Sequence, residues 1–434
     1  MSILRSMYTG VAGLRSNGSM LSTIGDNIAN VNTIGFKGSR VNFSDVLGQS
    51  IIGIAGAMDK IGLGSSVAEV QQILTQGAIQ RTGYETDMAI SGNGFFVLEG
   101  THDGRQGVYY SRAGQFVIDA DGFVVNPEGL LLQGYPVDAA GNASGVPGDI
   151  NLSSSMAPPN ASTRVDIAAN FDAGATIDPG GAAFDPADPA ATSNFSTTIT
   201  VYDSLGQSHE VDVYFRHTAA GWEYHGLVDG GELTGGAAGT ASEVVAGTLT
   251  FDANGALDTE AQTVNTFNPI GATNPQPLQL DFGDAITTDG GTGVSGSTGY
   301  GADSSVVWQT QDGYGTGSLQ YVSISPDGAI VGSFSNGQVV TLARVALSLF
   351  SGATELERVG GNLFQQTTGS GEPVVGMAGE AGRGAIVGGA LEASNVDLAE
   401  EFVNMIAAQR GFQANSKTIT TADQLLAELI SLKR

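Results

Sequence analysis

The residues whose types and spacing suit chemistry are few, and each fails on one point. Gly291-Thr-Gly-Val-Ser-Gly296 has the spacing of a dinucleotide-binding turn. That turn holds a pyrophosphate only where it follows a strand and opens a helix, whose first N–H groups face the anion. Here it lies in a Gly/Ser/Thr-rich run and reads as loop. His209-Glu210 begins a zinc-protease pattern, but Val213 stands where the second histidine is required. His102, His217 and His225 show no ligand spacing. Asp119-Ala-Asp-Gly122 resembles the opening of a calcium loop, which needs glycine sixth and glutamate twelfth. Here glycine is fourth and Leu130 is twelfth, so a hairpin turn is expected. A glycosidase-type carboxylate pair is formally open among 44 Asp and Glu, and no spacing supports one. No catalytic, metal-binding or cofactor-binding residue is assigned.

Composition narrows the classes further. The chain has 434 residues, long enough for two or three domains, and 41% hydrophobic residues, enough for packed cores. The absence of cysteine removes disulfide frameworks, thiolate nucleophiles and zinc–thiolate sites. A formal charge of −27 with only 17 Lys and Arg speaks against nucleic acid, whose binding rests on counterion release by cations. It speaks equally against an anionic membrane surface. Acidity concentrates in residues 150–305, where 19 Asp and Glu face only Arg164 and Arg216. No apolar run reaches the ~18 residues of a membrane span. Gly10, Gly13, Arg15, Ser16 and Asn17 interrupt the N-terminal stretch, so an export route that cleaves no signal peptide is expected.

The two ends read as helices. Ile3, Met7, Leu14, Leu21, Ile24, Ile28 and Val31 step by three and four, as do Leu398, Phe402, Met405, Phe412, Ile419, Leu426 and Ile430. Val403, Ile406, Leu425 and Leu429 widen the second stripe, which suggests more than one neighbouring helix. Ser394 with Asp397 matches a capping box, and Lys433 and Arg434 suit the far end of the helix dipole. Gly10, Gly13, Gly18 and Gly25 weaken the first helix by about 1 kcal/mol each relative to alanine. That helix is expected to be loose alone and to order against partners, while the pattern by itself leaves open that both helices simply dock on their own domain.

Between the ends the signals are those of strands. Ile199–Tyr202 and Val211–Phe215 flank a turn, and Asp121-Gly122, Glu128-Gly129, Asn254-Gly255, Asp327-Gly328 and Asn336-Gly337 mark hairpins. Composition breaks at 153–192 and 283–304 bracket an acidic β domain. The expected class is multidomain α+β, with the terminal helices as a coiled-coil-like inner domain (1–31 and 396–434). Residues 32–70 and 373–395 are expected to be interdomain linkers, the first a compliant one rich in glycine. A discontinuous β domain takes 71–149 and 306–372, and the acidic β domain of 150–305 is inserted into it.

The stretches beside the helices carry a longer pattern. Asp26-Asn-Ile-Ala-Asn-Val-Asn-Thr-Ile-Gly-Phe-Lys37 resembles the N-terminal motif of the bacterial flagellar rod and hook family. Gly389–Leu398 and Ala408-Gln-Arg-Gly-Phe-Gln-Ala-Asn415 resemble its C-terminal motif. Thr200–Gly206, Asp312–Gly315, Phe334–Gly337 and Arg358–Phe364 are similar to the hook branch, and the inserted domain points the same way. The resemblance implies motif positions at Asn27, Asn30, Asn32, Gly35, Phe36, Lys37, Asn395, Asp397, Gln409, Arg410, Gly411 and Asn415. It implies a structural subunit and not an enzyme, without cofactor, that polymerises through the two stripes into a bent extracellular tube carrying torque from rod to filament. Implied partners are further copies of the chain, a hook cap protein, a distal rod protein, a hook–filament junction protein and the flagellar type III export apparatus. A distal-rod-type protein is the nearest alternative, and a secreted calcium- or carbohydrate-binding β protein the alternative from another class.

Overall fold

A computed structural model describes residues 2–52, 58–138, 141–152, 156–181 and 183–431, with side chains except at 2–4, 47–52, 58–61 and 429. The protein is mostly β with one long helix at each end. Contacts divide it into two units. One comprises Met1–Ser154, Tyr321–Ser333 and Val339–Arg434, and the other Ser155–Gln320 and Phe334–Gln338.

In the first unit, α1 spans Ser2–Ala29 and α2 spans Leu398–Ser431. α1 runs through all four glycines and then stops short of its expected end. The Asn30 side chain donates to the Asp26 carbonyl at 2.9 Å, and Thr33 Oγ1 donates to Asn30 Oδ1. These bonds turn the chain, so Val31, read as the last member of the stripe, lies beyond the helix. α2 is capped by Asp397, whose Oδ1 accepts from the N–H of Ala399 at 2.8 Å and of Glu400 at 3.3 Å. The expected capping box does not form. Ser394 lies three residues too early, and its hydroxyl accepts from Val396 N–H instead. Lys433 and Arg434 lie outside the described residues.

Both stretches expected to be linkers contain strands. β1 (Ser39–Ile52) and β2 (Met58–Gln72) form a long antiparallel hairpin from Ser39 opposite Gln72 to Ile52 opposite Met58, with three register shifts. Its cross-strand contacts are largely polar, such as Ser44 with Ser66 at 3.0 Å, and its apolar alternation is confined to Val41 and Phe43 opposite Val70 and Val67. The hairpin lies on α1, with Ser16 Oγ donating to the Ser65 carbonyl at 3.1 Å. Gly64, at φ +100°, brings the strand against Ala12. At the other end, β3 (Ile79–Arg81) pairs with Ala390–Glu392, and β4 (Met88–Ser91) with Ala385–Gly388. Val374–Met377 pairs with Val339–Leu349. Residues 373–395 therefore complete sheets through partners distant in sequence. β5 (Phe95–His102) and β6 (Arg105–Ser111) pair beside them. Their core gathers Phe95, Val97, Tyr110, Ala346, Leu356 and Phe364, with Tyr110 edge-on to Phe350 at 4.7 Å.

The second unit holds a five-stranded antiparallel meander from Phe195 to Asn265 and a three-stranded sheet of Gln279–Asp281, Arg164–Asn170 and Ser305–Gln311. Both contribute to one core, including Val165, Phe171, Val211, Phe215, Trp222, Tyr224, Leu249 and Phe282. The hairpin expected around Ser204–Gly206 is present as Phe195–Tyr202 against Ser208–Thr218. The boundary expected at 305 lies further on, because Ser305–Gln311 pairs with Arg164–Asn170 and residues to Gln320 stay with this unit. His209 lies on a strand with Nδ1 2.6 Å from Glu232, and Asp119 Oδ1 accepts from Asp121 and Phe123 N–H in a turn.

Candidate functional site: the helix pair and its clamp

α1 and α2 pack against each other in opposite directions. Gly10 faces Ile419, Gly13 faces Asn415, Asn17 faces Gly411 and Asn27 reaches Glu401. The contact is built from small and polar residues. A Cβ on Gly13 would stand 2.6 Å from Asn415 Nδ2, and one on Gly411 would stand 2.7 Å from Asn17 Oδ1. The two pairs are reciprocal. Asn17 donates to the Gly13 carbonyl at 2.7 Å, Asn415 donates to the Gly411 carbonyl at 2.9 Å, and each asparagine abuts the other helix's glycine. Two of the glycines read as helix weakeners thus permit a close approach of backbones, since interaxial distance follows the side chains at the contact. Gly18 and Gly25 meet nothing within 4 Å.

This seam takes up only part of the apolar stripe. On α2 the residues buried toward α1 are Ala408 and Ala422, with Met405, Ile419 and Leu426 half-buried beside them. Leu398, Phe402, Phe412 and Ile430 are exposed, and so are Val403, Ile406 and Leu425. On α1, Ile24 is buried while Met7, Leu14, Leu21 and Ile28 are half-buried. The side chain of Ile3 lies outside the described residues. A three-four count of apolar residues finds the larger side chains, and the alanines and glycines of the real seam escape it.

Below the helix pair, the motif residues close a clamp. Asn27, buried, exchanges two hydrogen bonds with the backbone of Ser39: its Nδ2 donates to the carbonyl at 2.8 Å and its Oδ1 accepts from N–H at 2.9 Å. The same Nδ2 reaches Glu401 Oε1 at 2.6 Å. Burial raises the Glu401 carboxyl above its ordinary range, and the Asn27 bond opposes the rise. Asn395 accepts from Gly38 N–H at 2.8 Å and donates to the Ile73 carbonyl at 2.7 Å. Gly35 adopts φ +70°, and a Cβ there would strike Ala113 N at 2.5 Å, so only glycine fits. Phe36 is buried beneath the guanidinium of Arg358, 4.9 Å from the ring centroid.

The centre of the clamp is a fully buried carboxylate. Glu392 takes Lys37 Nζ at 2.5 Å and Gly77 N–H at 2.8 Å on Oε1, and Arg112 Nη1 at 3.4 Å on Oε2. Lys37 also donates to the Thr75 carbonyl at 2.8 Å. Burial pushes Lys37 and Arg112 below their ordinary ranges, and Glu392 pulls both back up. Two cations thus share one carboxylate. Sequence reading missed Glu392 and Arg112. Glu392 had a signal, a lone charge between Leu391 and Ala393, while Arg112 had none. Asn30 and Asp397 serve the helix ends. Asn32, Gln409 and Arg410 are exposed.

Four family models match in chain order: "Flagella basal body rod protein" over 7–37, "Flagellar hook protein FlgE/F/G D1 domain" over 89–172, "Flagellar basal body protein FlaE D2 domain" over 170–314, and "Flagellar basal body rod FlgEFG protein C-terminal" over 387–432. The chain is 37% identical to the flagellar hook protein FlgE of Borreliella burgdorferi, over 99% of this chain and 100% of the relative. It is 34% identical to that of Salmonella typhimurium, with the same coverage. Among solved structures, Helicobacter pylori FlgE2 matches at TM-score 0.44 and 16% identity, covering 71% of this chain and 98% of that one, too loosely to bear on the architecture.

Proposed function

The chain belongs to the flagellar hook protein FlgE family, and from that premise we propose that it polymerises through its terminal helices into the bent tube that carries torque from rod to filament. One observation supports this most. The helix pair satisfies itself with glycine, alanine and asparagine and leaves Leu398, Phe402, Val403, Ile406 and Phe412 of α2 exposed. A row of large apolar side chains on a folded unit marks a face that a further molecule covers. Covering it with α1 and α2 of neighbouring copies builds an inner tube, and the β units lie outside it. In this reading Met7, Leu14, Leu21, Ile28, Met405, Ile419, Leu426 and Ile430 divide between the internal seam and the faces between copies. The subunit is structural and carries out no catalysis. The division of contacts, with the second unit lying between segments of the first in sequence, supports an inserted outer domain. Outside the cell, the hook cap, distal rod and junction proteins meet the same tube, which the type III apparatus supplies.

The test is a charge on the open face. Phe402→Asp and Val403→Asp alter exposed side chains, so the monomer should keep its stability to within about 0.5 kcal/mol. Both should fail to form tubes by electron microscopy and sedimentation. Tubes of normal length from both variants would refute the reading.

A further inference from the structure

The helix pair carries its charges in bands. The pairing of Gly10 with Ile419, Gly13 with Asn415, Asn17 with Gly411 and Asn27 with Glu401 sets each α1 residue level with a fixed position on α2. Arg15 falls midway between Arg410 and Lys417, and Asp26 falls level with Phe402. Arg5 and Asp423 share a level and cancel. Arg15, Arg410, Lys417 and Glu428 are exposed, and among the described residues none of these side chains makes an ion pair or a hydrogen bond. Asp26, also exposed, takes Asn30 at 3.0 Å and Arg358 at 3.4 Å. A band of three unpaired cations is unusual in a chain of net charge −27, where Lys37, Arg112, Arg164, Arg216, Arg344 and Arg358 all have carboxylate partners. Each helix turns its charges away from the other. Two residues along an α-helix make a rotation of about 200°, and Arg15 stands two residues from both Gly13 and Asn17 of the seam. Arg410 stands two residues from Ala408, and Lys417 two from Asn415 and Ile419. The exposed α1 face of Tyr8, Arg15, Ser22 and Asp26 and the exposed α2 face of Val403, Arg410, Lys417 and Glu428 therefore lie on opposite sides of the pair. On both faces a cation and an acid stand eleven residues apart, Arg15 with Asp26 and Lys417 with Glu428. Eleven residues are three turns, which return to the same side of the helix after about 17 Å.

We propose that these faces are the two halves of one contact between copies of this chain, the α1 face of one copy against the α2 face of the next, displaced along the helix axis by about 17 Å. The proposal rests on the polymerisation proposed above and adds the register. In that register Arg15 meets Glu428 of the next copy while Asp26 meets its Arg410 and Lys417. Both pairings form at one displacement because the spacing is the same on the two faces. With no displacement, Arg15 would face Arg410 and Lys417, like against like. Charge complementarity of this kind fixes register and suppresses wrong alignments more than it adds affinity. A contact between two different faces of identical copies repeats head to tail, as a helical tube requires. Arg358 already shares Asp26, so the pairing of Arg15 with Glu428 is the sharper one to test.

The test is a charge swap in the full-length chain at low salt. Arg15→Glu and Glu428→Lys alter exposed, unpaired side chains, so thermal unfolding of the monomer should be unchanged. Each should raise the concentration at which tubes form by about fivefold to tenfold, because a favourable pair becomes a like-charge contact. Glu428→Lys makes the chain less negative, so global repulsion acting alone would lower that concentration instead. The double variant Arg15→Glu/Glu428→Lys should return to within about twofold of the parent chain. Within one copy the two sites lie about 22 Å apart along the pair, so this recovery reports a contact between copies. The proposal is overturned if both single variants assemble at the parent concentration, if Glu428→Lys assembles more readily than the parent, or if the double variant does no better than the singles. Phe402→Asp in parallel separates the two ideas. Tubes blocked by Phe402→Asp but indifferent to the charge variants would remove the register and leave the assembly reading intact, and tubes indifferent to all of them would remove both.

Discussion

At the scale of single residues, the clamp is asymmetric. Removing Lys37 leaves Glu392 paired with Arg112, whereas neutralising Glu392 strands two buried cations. Breaking a buried ion pair from one side typically costs about 3–5 kcal/mol. Lys37→Met is therefore expected near the low end of that range and Glu392→Gln at or beyond the high end. The urea midpoint of the unit that carries the clamp reads the order, and equal losses would show that Arg112 contributes nothing. These residues were only partly legible. Lys37 and Asn395 stood inside long motifs, and so did Glu392, but a motif does not say which member is the hub. That depends on β3 and β4 meeting strands more than 290 residues away in the sequence. Arg112 lies in an ordinary strand-to-turn stretch, and its role exists only after those strands have met.

At the scale of elements, the helices were legible as helices, while the close seam between them was not. Glycine has two different meanings in α1, and substitution separates them. Gly18→Ala meets open space and should stabilise the monomer by up to about 1 kcal/mol through helix propensity alone. Gly13→Ala carries the same intrinsic gain, but the added methyl drives into Asn415. The expected net result is a loss of about 1–2 kcal/mol, since overpacking at a close contact costs about 1–3 kcal/mol. Thermal unfolding followed by helical circular dichroism distinguishes them, and two stabilising substitutions would contradict the close seam. The β1–β2 hairpin was invisible for a related reason. Its pairing is stabilised by backbone bonds and mainly polar cross-strand contacts, and it packs on α1 through small residues, so the apolar alternation by which strands are recognised shrinks to Val41 and Phe43, paired with Val70 and Val67. The hairpin turns were legible in both units, Asp121-Gly122 and Asp327-Gly328 in the first and Asn254-Gly255 and Asn336-Gly337 in the second, because such pairs are demanded locally by the hairpins themselves.

At the scale of the whole molecule, acidity has two consequences. Tubes bring many copies of a strongly negative chain together, so polymerisation should speed up as salt rises from about 0.01 to 0.15 M and the Debye length shortens from about 30 to 8 Å. Turbidity or sedimentation against ionic strength follows it, and strong inhibition over that range would count against the reading. Within the second unit, Glu260 is pushed up to about 7, first by burial and then by Asp281 and Asp289, while its bond from Phe282 N–H and Arg164 oppose the rise. A carboxyl raised on folding holds its proton in the folded state when the unfolded chain has released it. The unit should therefore lose stability as pH rises from about 4.5 toward 7. Glu260→Gln keeps the acceptor and removes the charge, so it should flatten that slope. An unchanged slope in urea titrations at several pH values would assign it elsewhere.

The Lys37–Glu392 bond also has a kinetic meaning. It joins residues 355 apart in the chain. Closing so long a loop directly is entropically expensive, and contacts of such separation form late. The second unit makes its own strand pairings within residues 155–338 and needs no part of the clamp to begin. Its folding ties off about half of the intervening chain and shortens the loop that remains. The protein should therefore mature from the middle outward, with the ends the last parts to become competent, so premature association of half-made chains is disfavoured by connectivity alone.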